Sequence, residues 1–132
     1  AGPRHKRYVV LTVGEPLLQV DDRLVAELHG RDFEIGVETN GTQPAPVGLD
    51  WICVSPKGCS DLILRSGHEL KLVYPQADAK PEDFANLEFE HFFLQPMDSP
   101  TASANLEAAI GYCTDNPQWR LSIQSHKMIG IR

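Results

Sequence analysis

The sequence lacks long apolar runs, since no stretch of its 132 residues approaches the roughly 20 that a helix needs to cross a bilayer. It also lacks a secretory pattern at its N-terminus. Cysteine is scarce: Cys53, Cys59 and Cys113 make an odd, irregularly spaced set, which suggests neither a disulfide framework nor a zinc site. We therefore predict a cytoplasmic protein with reduced thiols and no membrane partner.

An excess of positive charge is lacking too, because 12 Lys and Arg residues stand against 18 Asp and Glu residues, for a net charge of −6. A domain that grips phosphates normally carries a basic excess, so we predict no nucleic-acid partner. The basic cluster at 4–7 is the exception and is best interpreted as a solvated segment. The absence of Gly-x-Ser-x-Gly, P-loop and Gly-x-Gly-x-x-Gly motifs disfavours an ordinary hydrolase or transferase.

The sequence does contain short β-favouring runs that alternate with helical or loop segments. Strands are predicted at 8–12, 33–39, 51–55, 70–74, 91–95 and 119–125. The first is apolar throughout, as is typical of a strand buried on both faces. Helices are predicted at 20–29 with Gly30 as the stop, at 101–116, and after Pro81, where two acids follow a proline.

Two apolar stripes support these helices. The first comprises Leu24, Val25 and Leu28, and the second comprises Leu106, Ala109, Ile110 and Cys113. Connections of this length cannot be hairpins, so they predict parallel βαβ units with right-handed crossovers. The fold class is therefore α/β, either a doubly wound sheet or part of a (β/α) barrel, in a single domain that spans residues 1–132.

Polar residues follow the ends of the predicted strands. The strand ends lie at 12–16, 39–42, 55–57, 74–75, 95–98 and 125–127. In a parallel sheet these ends share one edge, where α/β proteins bind their ligands. Any single end is explained equally well by ordinary turn chemistry, but the whole set predicts a site for a small polar ligand.

Six segments then occur in a specific order: "VVLTVGEPLLQ", "FEIGVETNGT", "LDWICVSPK", "ELKLVYPQ", "HFFLQPMD" and "SIQSHKMIGIR". Together they resemble the C-terminal part of the 7-carboxy-7-deazaguanine synthase family, radical S-adenosylmethionine enzymes of queuosine and deazapurine biosynthesis. The resemblance implies a partial (β/α) barrel of parallel strands that lacks the N-terminal βα units. It also implies a homodimer, and the conversion of 6-carboxy-5,6,7,8-tetrahydropterin to 7-carboxy-7-deazaguanine with loss of ammonia.

The resemblance also implies roles for residues at the strand ends. S-adenosyl-L-methionine would be bound by Gly14, with Glu15 as nearby support, by Ser55, Pro56 and Lys57, and by Gln95, Pro96, Met97 and Asp98. Thr12 and Arg132 would contact the pterin. Glycine suits the first position because it lets the backbone approach an ammonium group closely.

Structural roles are the alternative for each of these residues: Thr12 as a strand end, Lys57 as a solvated lysine, Met97 as core and Arg132 as a frayed terminus. Glu38 and Asn40 either line the pocket or cap a turn. His126 and Lys127 either neutralise a substrate carboxylate or lie at the surface, and His91 is expected to be structural.

Two features depart from the family pattern. Val13 stands where the family has glycine, so we expect roughly 1–3 kcal/mol of strain, or a displaced loop, and weaker cofactor binding. The Cys-x3-Cys-x2-Cys run for a 4Fe–4S cluster and the threonine that helps hold Mg²⁺ belong to the family's N-terminal part, and neither is found here. We therefore expect a fragment that is inactive alone and exposes a sheet edge.

Two other functions stay open at this point. One is a non-catalytic module that binds S-adenosylmethionine or a nucleoside. The other is a different radical S-adenosylmethionine enzyme that acts on another small molecule.

Overall fold

The computed structural model describes residues 7–12, 14–58 and 61–123. Six parallel strands form one sheet in the order β1-β2-β3-β4-β5-β6. They are β1 (Arg7–Leu11), β2 (Phe33–Thr39), β3 (Trp51–Val54), β4 (Ser66–Tyr74), β5 (Glu88–Pro96) and β6 (Trp119–Leu121). Helix α1 (Asp22–Gly30) connects β1 to β2, and α2 (Ala102–Asp115) connects β5 to β6. Two short 3-10 turns lie at Pro16–Leu18 and Pro81–Asp83.

The strand order decides between the two predicted architectures. Because the strands follow one another in chain order, every crossover advances in the same direction across the sheet. A doubly wound sheet requires that direction to reverse at a switch point, so it is excluded for the described strands. Right-handed crossovers then place α1 and α2 on the same face. The sheet is open, as in part of a (β/α) barrel.

The core lies between the sheet and the elements on that face. A small cluster under α1 contains Val20, Val25 and Ile35. The larger cluster contains Val54, Leu70, Leu72, Ala79, Phe89, Phe92, Leu94 and Trp119. Between β3 and β5 the connections are loops, and Leu62, Leu64, Phe84 and Leu87 pack against this larger cluster in place of helices.

The other face of the sheet is not covered by α1 or α2, which corrects the prediction for β1. Tyr8 is 52% exposed and Val10 is 46% exposed, so β1 is buried on one face only. The alternation of side chains in a strand explains why both point the same way. The apolar run predicts burial on both faces, but the crossover helices α1 and α2 cover only one face of the sheet.

Two further expectations are corrected. The segment after Pro81 forms only a 3-10 turn over Pro81–Asp83 followed by turns, because the chain must return to β5 while packing Phe84 and Leu87 inward. On α2, Ile110 is 45% exposed, and the buried positions are Asn105 and Ala109.

Several boundaries move slightly from those predicted. Helix α1 includes Gly30 and is followed by Arg31 as its C-cap, β4 begins at Ser66, and β6 ends at Leu121. Helix α2 lies within one residue of its predicted ends at both termini. In the part of the chain that the structure describes, neither helix has the length and apolarity needed to span a membrane.

Candidate functional site

The carboxyl ends of the parallel strands bring the candidate residues to one edge of the sheet. Thr12 and Gly14 follow β1, residues 55–57 follow β3, and residues 95–98 end β5 and continue past it. With strands about 4.8 Å apart, the β1 and β5 ends are separated by about 19 Å along the edge. Val13, His126, Lys127 and Arg132 lie outside the described residues.

Glu15 joins the end of β1 to the end of β2. Its carboxylate accepts hydrogen bonds from the Thr39 hydroxyl at 2.7 Å, the Asn40 N–H at 2.9 Å and the Leu17 N–H at 3.0 Å. Both carboxylate oxygens take part, and Thr39 is buried. Glu15 therefore braces the loop that carries Gly14.

Gly14 leaves the backbone open at the end of β1. Its φ of +66° is in the left-handed region that favours glycine. A Cβ built there would meet nothing within 4 Å, and the residue is exposed. A ligand can therefore approach this peptide closely, which fits the role that the resemblance gives to Gly14.

The end of β2 forms a tight turn. Asn40 Oδ1 accepts hydrogen bonds from the Thr42 N–H at 3.0 Å and the Thr42 hydroxyl at 2.6 Å, so it closes a local turn. Gly41 has φ +78°, and a Cβ there would lie 2.5 Å from Leu62 Cδ1. Its carbonyl accepts from the N–H groups of Ile63 and Leu64 at 2.8 and 3.0 Å. Sequence reasoning did not single out Gly41.

The end of β3 continues the sheet by one residue. The Ser55 N–H donates to the Thr39 carbonyl at 2.7 Å, and Pro56 is buried. Lys57 is exposed. The Ser55 N–H is therefore used within the sheet, while the half-buried Ser55 and the exposed Lys57 keep side chains that can reach solvent.

The end of β5 is held from two sides. The Met97 N–H donates to the Tyr74 carbonyl at 2.8 Å, and the Met97 carbonyl accepts from Asn105 Nδ2 at 3.0 Å. Asn105 Nδ2 also donates to Ser99 Oγ at 3.0 Å. Asn105 is another residue that sequence reasoning missed. The available signal was a polar side chain four residues before Ala109 on the buried stripe of α2.

The uncovered face of the sheet carries a polar network. Glu69 accepts from Trp51 Nε1 at 3.3 Å and from Cys53 Sγ at 3.6 Å. Lys71 Nζ lies 3.9 Å from Glu38 Oε1. Burial raises the pKa of the Cys53 thiol to about 12, and the negative charge of Glu69 adds to the rise.

His91 lies within β5 on this face rather than at the strand's first residue. Its ring stacks against that of Trp51, with 6.2 Å between centroids, and tilts against Phe93 at 6.3 Å. These contacts agree with the structural role expected for it.

The described residues do not fit a metal centre. Among them, no group of three or more His, Cys, Asp or Glu side chains could hold a metal ion. Burial also raises the pKa of Cys113, so both Cys53 and Cys113 favour the protonated thiol over the thiolate that binds metals. The described residues therefore offer no set of thiolates for a 4Fe–4S cluster.

Comparison with known proteins finds relatives over nearly the whole chain. The 7-carboxy-7-deazaguanine synthase of Bradyrhizobium diazoefficiens is 70% identical over 126 residues, that of Bordetella pertussis 62% over 125, and that of Caulobacter vibrioides 58% over 125. These alignments cover 96%, 95% and 95% of this chain but 60% of each relative. The chain thus spans less than two thirds of the length of these relatives. No family model matches it.

A solved structure is similar as well. The crystal structure of QueE from Escherichia coli has a TM-score of 0.68 and 28% sequence identity to this chain. The match covers 89% of this chain and 56% of that one. Sequence and fold comparisons therefore each find relatives over most of this chain.

Proposed function

We propose that this chain is the C-terminal part of a 7-carboxy-7-deazaguanine synthase and forms one side of its S-adenosylmethionine site. The observation that carries the proposal is the 70% identity to the Bradyrhizobium enzyme over 96% of this chain. The shared edge that holds Gly14, 55–57 and 95–98 supports it, because parallel α/β proteins bind small ligands at the carboxyl ends of their strands.

The proposed reaction of the whole protein converts 6-carboxy-5,6,7,8-tetrahydropterin to 7-carboxy-7-deazaguanine with loss of ammonia. S-adenosylmethionine, bound together with a 4Fe–4S cluster, would supply the radical chemistry of this ring contraction. Because no group of three or more His, Cys, Asp or Glu side chains that could hold a metal lies among the described residues, we propose that the ligands of the cluster and of Mg²⁺ lie outside this part of the chain. We also propose that the whole protein is a homodimer in the cytoplasm.

Within the proposed site, the residues of this chain bind and orient the cofactor. The Gly14 carbonyl accepts from the cofactor ammonium, on a loop that Glu15 holds rigid. The Lys57 ammonium attracts a carboxylate, and the Ser55 hydroxyl donates beside it. Gln95 and Asp98 offer an amide and a carboxylate suited to ribose hydroxyls.

Thr12 and Arg132 are proposed to contact the pterin. The Thr12 hydroxyl stands directly after β1, at the edge where the cofactor loop begins. Arg132 is the last residue of the sequence, and its guanidinium matches a carboxylate such as the one on this pterin.

The test uses the natural protein that contains this chain. Titration calorimetry measures the dissociation constant for S-adenosylmethionine, and mass spectrometry follows conversion of the pterin. We expect Lys57→Ala to raise the dissociation constant about tenfold, since removing a charge-assisted contact costs on the order of 1.5 kcal/mol. The matched control is Lys80→Ala, which removes an exposed lysine beside the Pro81–Asp83 turn and should leave the dissociation constant for S-adenosylmethionine unchanged. A wild-type protein that binds no S-adenosylmethionine overturns the proposal.

A non-catalytic binding module is the second candidate, favoured by the lack of metal ligands among the described residues. It predicts S-adenosylmethionine binding without product in the same assays. A different radical enzyme would instead consume S-adenosylmethionine while leaving the pterin unchanged.

A further inference from the structure

One buried amide organises the connection between β5 and α2. Asn105 is only 8% exposed, and Thr39 is the other buried polar residue in the described part of the chain. The amide nitrogen of Asn105 donates to the Met97 carbonyl and to Ser99 Oγ, each at 3.0 Å. Both of its N–H groups are therefore used to hold the segment that leaves β5.

These contacts fix the backbone on both sides of Met97. The Met97 N–H, part of the preceding peptide, donates to the Tyr74 carbonyl at 2.8 Å. The Met97 carbonyl, part of the following peptide, accepts from Asn105. With both flanking peptide planes held, φ and ψ of Met97 are set, and so is the direction in which Asp98 leaves the strand.

The same amide ties this segment to the start of α2. Ser99 Oγ contacts the Thr101 hydroxyl at 3.0 Å and accepts from the Thr101 N–H at 3.2 Å. An apolar side chain in the space of Asn105 would leave the Met97 carbonyl and Ser99 Oγ without this donor, which lowers stability. The effect on affinity is therefore measured in variants that are shown to be folded.

We propose that Asn105 is a positioning residue for the cofactor site. It acts through Met97, and it keeps residues 95–98 in the shape that receives S-adenosylmethionine without touching the cofactor itself. The inference rests on the proposed function, which places the cofactor against this segment.

The test compares two amide-to-acid variants in the natural protein that contains this chain. Asn105→Asp keeps the side-chain shape but removes the donors to the Met97 carbonyl and Ser99. The matched control, Asn116→Asp, removes a 3.0 Å bond from Asn116 Nδ2 to the Tyr112 carbonyl at the opposite end of α2. We expect Asn105→Asp to raise the calorimetric dissociation constant for S-adenosylmethionine at least tenfold, and Asn116→Asp to change it less than twofold.

A second variant distinguishes a loss of affinity from a loss of folding. Asn105→Leu fills the buried space without donors and should give the same tenfold loss of affinity in a protein with native circular dichroism. Unchanged affinity in the folded variants, or equal losses in the Asn105 and Asn116 variants, overturns this inference and leaves the proposed function standing. A wild-type protein that binds no S-adenosylmethionine overturns the proposed function and this inference with it.

Discussion

Single residues at the strand ends combine access with rigidity. Gly14 leaves a peptide open to a ligand, and Glu15 next to it uses both carboxylate oxygens to hold the loop against β2. An open loop without such a brace would lose conformational entropy on binding, which weakens affinity. Gly14 therefore gives a ligand access to the backbone, and Glu15 keeps the same loop rigid.

Glu15→Gln should lower the free energy of unfolding by about 2 kcal/mol. Glutamine replaces one acceptor oxygen by an NH2 donor, so either the Asn40 N–H or the Leu17 N–H loses its acceptor. Urea unfolding of this chain measures the loss. Asp21→Asn is the control, because Asp21 accepts one hydrogen bond, from the Leu24 N–H, and asparagine caps a helix equally well. Equal losses in the two variants would contradict the brace.

Cys53 should make the protein less stable in alkali. Its pKa is about 12 in the folded protein against 9.0 for an ordinary thiol, so the folded state keeps a proton that the unfolded chain loses. Stability from this group is complete below pH 9 and falls as the pH rises toward 12. Relative to Cys53→Ala, the wild type should lose about 2 kcal/mol more between pH 8 and about pH 10.5. If urea unfolding shows that the wild type and Cys53→Ala lose the same free energy of unfolding over this pH range, the prediction is wrong.

At the scale of elements, loops rather than helices cover the core between β3 and β5. Leu62 and Leu64 cover the larger core cluster, and the loop that carries them is hydrogen-bonded to the Gly41 carbonyl. This arrangement depends on a backbone turn at Gly41 that approaches Leu62 closely. Turn geometry therefore decides how well the middle of the sheet is covered.

Gly41→Ala should lower the free energy of unfolding by roughly 2–4 kcal/mol, because the new Cβ adds both strain at a left-handed φ and a clash with a packed loop. The Cβ would lie 2.5 Å from Leu62 Cδ1 and 2.9 Å from Val54 Cγ1. Thermal unfolding provides the measurement. Gly111→Ala is the contrasting variant, since a Cβ there meets nothing within 4 Å inside α2, and it should stabilise the protein by about 1 kcal/mol. A neutral Gly41→Ala would show that the loop yields easily.

At the scale of the whole molecule, the described sheet is covered on one face and open at β1. An edge strand with exposed apolar side chains is a template for pairing with another chain. Tyr8 and Val10 are both about half exposed there. The described fold therefore buries a core on one face of the sheet and leaves β1 exposed as an edge strand.

We expect this chain to associate at high concentration through that edge. Val10→Lys should reduce association in sedimentation velocity, because a charge on an edge strand opposes pairing. Val47→Lys is the control, since Val47 is 91% exposed in the β2–β3 loop rather than on the edge strand. Association that persists equally in both variants would place the contact elsewhere.

Local pattern was sufficient for much of the architecture. The strand at 33–39 and the helix at 101–116 were predicted to within a residue, because period and end signals are written in neighbouring positions. The parallel class followed from connection lengths, and it carried the candidate residues to one edge. The ordered motifs pointed to the same relatives that the comparisons find.

The sequence by itself thus determined the class of the fold, the edge at which polar residues gather and the relatives of the chain. Only the tertiary structure decided that one face of β1 is exposed, that Glu15 accepts hydrogen bonds from Thr39 and Asn40, and that Asn105 donates to the Met97 carbonyl. The physical reason is distance along the chain. Propensity and periodicity act between neighbours, whereas burial and hydrogen-bond partners depend on segments that meet only after the sheet has formed.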